Sequence, residues 1–338
     1  MRWLVAEPGP HFSVQDVCVG WTEALRAAGQ QVFRFNLGDR LTFYNSVLMD
    51  AGGGLFKHAL DGEQATELAV NGLYASLMRV RPHVLFLVSG FFIPHELCDI
   101  ARAAGVRVVL RCTESPYEDG RQAALAEHCD LTLVDDPTNL DRFPPGTVYM
   151  PHAYRPAVHC PGPAVPNLVS DFAFVGTGYP SRIAFVEQMN LSGLDVLLAG
   201  NWTRLAADSP LRKHVAHDDA ECLDNTSTVD VYRSTRASLN LYRREAETDA
   251  QAAGWAVGPR EVELAAVGAF FLRDPRPEGD ELLPMLPTFT SPAEASEQLR
   301  WWLAHPQQRE EAAEQARAAV ADRTFDNHAR RLLRLLED

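Results

Sequence analysis

Apolar residues in this chain gather into short runs that do not alternate with polar ones, separated by longer stretches at helical spacing. Trp3-Leu4-Val5-Ala6 opens the series, and a helix through Val17, Trp21, Ala24 and Leu25 follows the loop 7–12. Val32 to Phe35 is the next run, then a long helical region carries Ala65, Leu68, Leu73, Leu77 and Met78. His83 to Val88, Val106 to Leu110, Leu131 to Val134 and Val148 to Met150 complete the first half. Strands of this kind, alternating with helices, predict a parallel sheet covered on both faces, in a Rossmann-like arrangement. Five prolines (151, 156, 161, 163 and 166) then break all periodicity, and a second series begins. Its strands are Phe172 to Val175, Leu194 to Ala199, Ser238 to Leu241 and Ala269 to Leu272.

The pattern divides the chain into a domain over 1–155, a proline-rich linker over 156–168, a second domain over 169–322 and a terminal helix over 323–338. Two Rossmann-like halves predict a cleft between them. Thr324 is the expected cap of the last helix, and Phe325, Ala329, Leu332, Leu333 and Leu336 share one of its faces. That face suits a helix that crosses back to the first domain.

Composition narrows the class. At 338 residues, 46% hydrophobic and 22% charged, the chain is expected to be globular, with two cores. The longest apolar run, Val84 to Ile93, is too short for a membrane span, and the acidic turn at Glu7 comes too early for a secretory signal. A cytoplasmic location follows as the expectation. A net charge of −14 argues against a broad nucleic-acid surface. The six cysteines (18, 98, 112, 129, 160 and 222) form no pair at zinc spacing, so reduced thiols are expected and no metal site is read.

The chemistry concentrates in the last eighty residues. Gly258-Pro259-Arg260-Glu261-Val262-Glu263 opens a small-residue helix that Gly268 ends, and a short strand follows. Amides at a helix N-terminus favour anions, and a carboxylate one turn further in can accept from sugar hydroxyls. A nucleotide-sugar presents both kinds of group.

These residues resemble the GT-B glycosyltransferases, and among them the CgeB-like and family-4-like (group 1) transferases. The resemblance runs through Asp171 to Gly176, Gly200-Asn201-Trp202, Val231 to Ser234, Ser238 to Leu241, Pro259 to Phe270, Phe289 to Glu294 and Leu303 to Pro306. It is looser at Cys112 to Pro116 and at Asp135 to Asn139. It implies an α/β fold of two Rossmann-like domains, with the C-terminal one holding a nucleotide-diphosphate sugar, UDP- or GDP-linked. It also implies transfer to an acceptor hydroxyl with retained configuration and without a metal. Relatives often carry a further glutamate eight positions before the one matching Glu263, where this chain has Trp255. Asp249 or Glu247 are the candidates to replace it.

On that reading Glu263 holds the ribose hydroxyls, Arg260 pairs with the diphosphate, and Glu261 lies beside them. Gly176 and Gly178 follow a strand and precede a helix, so their amides are expected to line the phosphates, with Arg182 one turn on. Trp202 either flanks the nucleotide or caps the core, and Tyr242 and Arg243 stand at a strand end where ligands gather. Glu114 is the candidate catalytic carboxylate, and His11 and His152 are candidates to contact acceptor or phosphates. Asp135-Asp136 reads as a turn with Pro137 rather than a metal site. Of Trp301-Trp302, at least one belongs to packing. The region 36–60, with Phe43, Tyr44 and a glycine hinge at 52–54, is expected to shape the acceptor site. A glycan, a protein, a small molecule and a modified DNA base remain open as acceptors. A GT-B-type epimerase and a non-catalytic nucleotide-sugar binder are the alternatives.

Overall fold

In a computed structural model, which describes residues 1–9, 12–50, 61–216, 223–245 and 254–337, the apolar runs pair as two parallel sheets. Each belongs to its own unit: Met1–Pro151 with Phe325–Asp338, and His152–Thr324. His11, the 52–54 glycines, Cys222, Glu247 and Asp249 lie outside the described residues.

The first unit runs β1 (Arg2–Ala6), α1 (Phe12–Ala27), β2 (Gln31–Phe35), α2 (Leu37–Asp50), α3 (Gly62–Val80), β3 (Val84–Val88), α4 (His95–Ala103), β4 (Arg107–Arg111), α5 (Asp119–Ala126), β5 (Leu131–Val134) and β6 (Val148–Tyr149). Its strands lie in the order β2-β1-β3-β4-β5-β6, all parallel. Every residue of β3 is buried, as a central parallel strand requires. Capping sets where α3 begins. The Asp61 carboxylate accepts from the Gln64 amide at 2.8 Å, and the Asp61 amide donates to the Gln64 side chain at 3.2 Å.

The second unit runs β7 (Ser170–Val175), α6 (Pro180–Gln188), β8 (Val196–Ala199), α7 (Asn225–Ser234), β9 (Thr235–Asn240), α8 (Pro259–Val267), β10 (Phe271–Arg273), α9 (Pro277–Leu282), α10 (Pro292–Ala304) and α11 (Pro306–Ala319). Its sheet has the order β10-β9-β7-β8, again parallel. Gly268, at φ +80°, ends α8 in the left-handed conformation that a C-cap glycine supplies cheaply. Trp302 packs on Phe270 with ring centroids 4.7 Å apart, while Trp301 is 47% exposed and stacks on His305. One tryptophan of the pair thus packs against the core, and its neighbour lies at the surface.

The last helix, α12 (Phe325–Leu335), belongs to the first unit and packs on α1. Phe325 lies directly against Gly20, where any side chain would collide with its ring. Trp21 meets both Phe325 and His328 at about 6 Å. The proline-rich stretch read as a linker belongs to the second unit and is tied to it at several points. Tyr154 donates its amide to Arg323 O, the Val165 amide reaches Ser234 Oγ at 2.9 Å, and Arg233 of α7 clamps the carbonyls of Val158 and Cys160. Prolines break helical and strand periodicity here, and side chains of α7 supply the order instead.

Candidate nucleotide-sugar site

Three strands and two helices bring the candidate residues of the second unit together. At the end of β7 the chain turns through Gly176 (φ +153°), and the turn after β8 passes Gly200 (φ +102°). A side chain on Gly200 would strike the Gly176 carbonyl, so the two turns can lie this close only with glycine. A side chain on Gly176 would lie 2.5 Å from Arg260 Nη2 and 3.7 Å from Arg182 Nη1. Two guanidinium groups therefore converge beside the bare Cα of Gly176. Both also stand near the Phe174 ring, at 5.8 Å for Arg182 and 5.5 Å for Arg260. Arg260, on the first turn of α8, is oriented by the Asn240 side chain at 3.2 Å, and Arg182 by the Thr177 carbonyl at 3.1 Å. Asn240, at the end of β9, escaped the sequence reading because an amide at a strand end has no motif.

The loop amides do something other than expected. Gly176 N–H donates to Ala199 O at 2.9 Å, and Gly178 N–H to Asn201 O at 2.8 Å. These donors tie the two turns together and are turned inward, so the cationic groups at the turn are side chains. Trp202 is fully buried, donates its indole N–H to Ala199 O at 3.0 Å and meets Phe174 edge-on. It has no face for a nucleotide, and the core alternative holds. Gly178 leaves the room for its ring, which a Cβ there would enter at 2.6 Å.

Glu261 and Glu263 take opposite surroundings from one helix. Glu261 is wholly buried. Its Oε2 accepts from the Gly258 amide at 3.0 Å and from the Tyr242 hydroxyl, closing the N-terminus of α8. Burial raises its pKa to about 7 against the pull of the Tyr242 hydroxyl, the Gly258 amide, and the charges of Arg273 and Arg276. Tyr242 is pushed well above its ordinary value, first by burial and then by the Glu261 charge. Arg276 covers the Tyr242 ring at 3.8 Å. These residues build the frame of the site. Glu263 is partly accessible, and its Oε1 lies 3.8 Å from His159 Nε2. His159 Nδ1 accepts the Arg155 amide at 3.1 Å, so the ring proton sits on Nε2, toward Glu263.

A cavity of about 270 Å³ opens at the ends of β9 and β10, lined among others by Arg182, Phe185, Tyr242, Arg244, Asp274 and Phe289. Asp274 fixes Arg244 through both oxygens, at 2.6 and 2.7 Å, and accepts the Tyr242 amide at 3.1 Å. Arg243 stands 5.9 Å from the Tyr179 ring. Glu245 reaches the start of α6, where it accepts from the Ser181 amide at 2.8 Å and from Ser181 Oγ at 2.9 Å. These contacts hold its carboxyl below the usual range although partial burial pulls the other way. His152 is buried in the same unit. In the first unit, Glu114 is half-buried in the turn after β4, and its carbonyl accepts the Glu118 amide at 3.1 Å. Asp136 caps the turn with Pro137 by accepting from Thr138 N and Oγ, at 2.9 and 2.6 Å.

Two units, each built on a parallel sheet with helices between its strands, define the class as a two-Rossmann α/β protein. Residues 182–334, somewhat under half of the chain, match the family model described as glycosyl transferase-like. The chain thus has the GT-B fold and a glycosyl transferase-like segment in its second unit. No curated protein matches the sequence. Among solved structures the chain is similar to sucrose-phosphate synthase from Thermosynechococcus elongatus, at 12% identity and TM-score 0.68 over 99% of each chain. It is similar to Anabaena HepE in complex with UDP-glucose, at 10% and 0.62 over 99% of each. A trehalose-6-phosphate protein from E. coli bound with UDP-2-fluoro glucose matches at 12% and 0.61, over 100% of this chain and 99% of that one. Among the described residues, no helix is long and apolar enough to cross a membrane.

Proposed function

We propose that the second unit binds a nucleoside-diphosphate sugar and that the protein transfers the sugar to an acceptor hydroxyl, with retained configuration and without a metal. The observation that carries this reading is the convergence of Arg182 and Arg260 beside Gly176. Like charges brought together at strand ends favour an anion of matching charge, and a guanidinium binds phosphate oxygens bidentately. The pair stabilises the diphosphate as it departs, which is where charge develops in the transition state. Glu263, partly accessible and one turn into α8, accepts from the ribose hydroxyls. Glu114 serves the acceptor in the first unit as base or orienting group. A UDP-sugar is the first donor to test, because two of the structures of like fold hold UDP-sugars or an analogue.

The test begins with calorimetric binding of nucleoside diphosphates and their sugars, with and without magnesium. One nucleotide should bind independently of metal and lose affinity in Glu263→Ala. Arg260→Ala should lower kcat/KM at least about tenfold, roughly 1.4 kcal/mol. Unchanged kinetics would remove Arg260 from the phosphate site. Incubation of the donor without acceptor separates the chief alternative, since an epimerase alters the sugar and leaves it on the nucleotide.

A further inference from the structure

In the first unit, His95, Asp99 and His128 bring one ligand atom each to within 4.8 Å of one another. His95 and Asp99 stand one turn apart on α4, and His128 lies just past the end of α5. Both Nδ1 atoms face the same carboxylate: His95 at 3.5 Å, and His128 at 2.9 and 3.1 Å from its two oxygens. The rings are stacked, with centroids 4.3 Å apart and planes 25° from parallel. Glu96 lies 3.5 Å from His95 Nε2, and the nearby Arg102 is taken up by Asp130 at 3.0 Å. The local balance therefore favours a cation.

We propose that His95, Asp99 and His128 form a binding site for a divalent transition metal such as zinc. Two imidazoles and a carboxylate are a donor set that suits zinc, copper or nickel, with water in the remaining position. Ligand atoms around a tetrahedral zinc stand about 3.3 Å apart for bonds of about 2.0 Å. The His128–Asp99 separation is already close to that. His95 is the ligand that turns, and it is more than half exposed and so can rotate until its lone pair converges with that of His128. A bound metal would cross-link α4 to the chain after α5. The sequence shows the His95–Asp99 spacing, but only the fold adds His128, 29 residues beyond Asp99.

The experiment is calorimetric titration of untagged, metal-stripped protein with zinc chloride, and with cobalt chloride followed by visible absorption. The expected result is one equivalent bound, a tetrahedral cobalt spectrum, and at least about a tenfold loss of affinity in each of His95→Ala, Asp99→Asn and His128→Ala. His305→Ala, at a half-buried histidine of the second unit, should bind as the parent does. Absence of stoichiometric binding overturns the proposal, as does binding that all three variants retain. Titration at low temperature, on variants whose circular dichroism matches the parent, keeps loss of a ligand distinct from loss of fold.

Discussion

Glu245 places a charged carboxylate on the first amide of α6, where a helix offers its positive end to an anion. The same turn carries Arg182, one of the two guanidinium groups beside Gly176. If the donor diphosphate takes up this end of the helix, Glu245 must yield to it, and the side chain acts as a competitor. Glu245→Gln should therefore lower the donor Kd by about two- to fivefold, the range expected of one charge at a helix terminus. Calorimetry on parent and variant checks it, and weaker binding by the variant would make Glu245 a supporting group instead. The sequence showed the cations of this site but not the geometry that sorts its acids. Glu261 and Glu263 look alike in one dimension, and only α8 sends the first inward to Tyr242 and leaves the second partly accessible. Similarly, Gly176 and Gly178 read as a turn, yet nothing in their spacing says that Ala199 and Asn201 occupy their amides.

Among elements, the strands were the most legible, because a strand buried on both faces must be apolar throughout, as β3 is. α2 was hidden, since the apolar residues of 37–50 fit several spacings at once. The terminal helix was foreseen from its single apolar face, and the structure shows how firmly that face is used. Phe325 is 4% exposed against Gly20 and Trp21. Phe325→Ala should destabilise the first unit by about 3–5 kcal/mol, the usual cost of emptying a buried aromatic site. Urea unfolding followed by circular dichroism and tryptophan emission measures this, and a loss under about 1 kcal/mol would mean that α12 is only loosely held. The packing partner could not be read from the sequence, because a glycine that makes room looks like any other glycine in a helix.

At the scale of the whole molecule, each unit buries a carboxyl whose pKa is raised. Asp119 rises to about 6, chiefly by burial and despite the hydrogen bond from Ser115 and the Arg142 charge, and Glu261 rises to about 7. Between the ordinary carboxyl range and these values, the folded chain holds protons that the unfolded chain has released. Unfolding then releases protons, so stability falls as pH rises through about 4 to 7 and levels off above. Glu261→Gln should flatten the upper part of that slope and Asp119→Asn the lower part, read as Tm at intervals from pH 5 to 8. A gap between parent and Glu261→Gln that stays constant with pH would show that Glu261 ionises equally easily in both states. The return of α12 to the first unit has a consequence for biosynthesis. A ribosome delivers residues 1–151 first, yet the groove at Gly20 and Trp21 stays uncovered until 325–336 have emerged. The second unit is complete in the chain before the first can close. Translation that stops short of Phe325 thus leaves a nascent product with an open apolar seam, the kind of surface chaperones hold and proteases find.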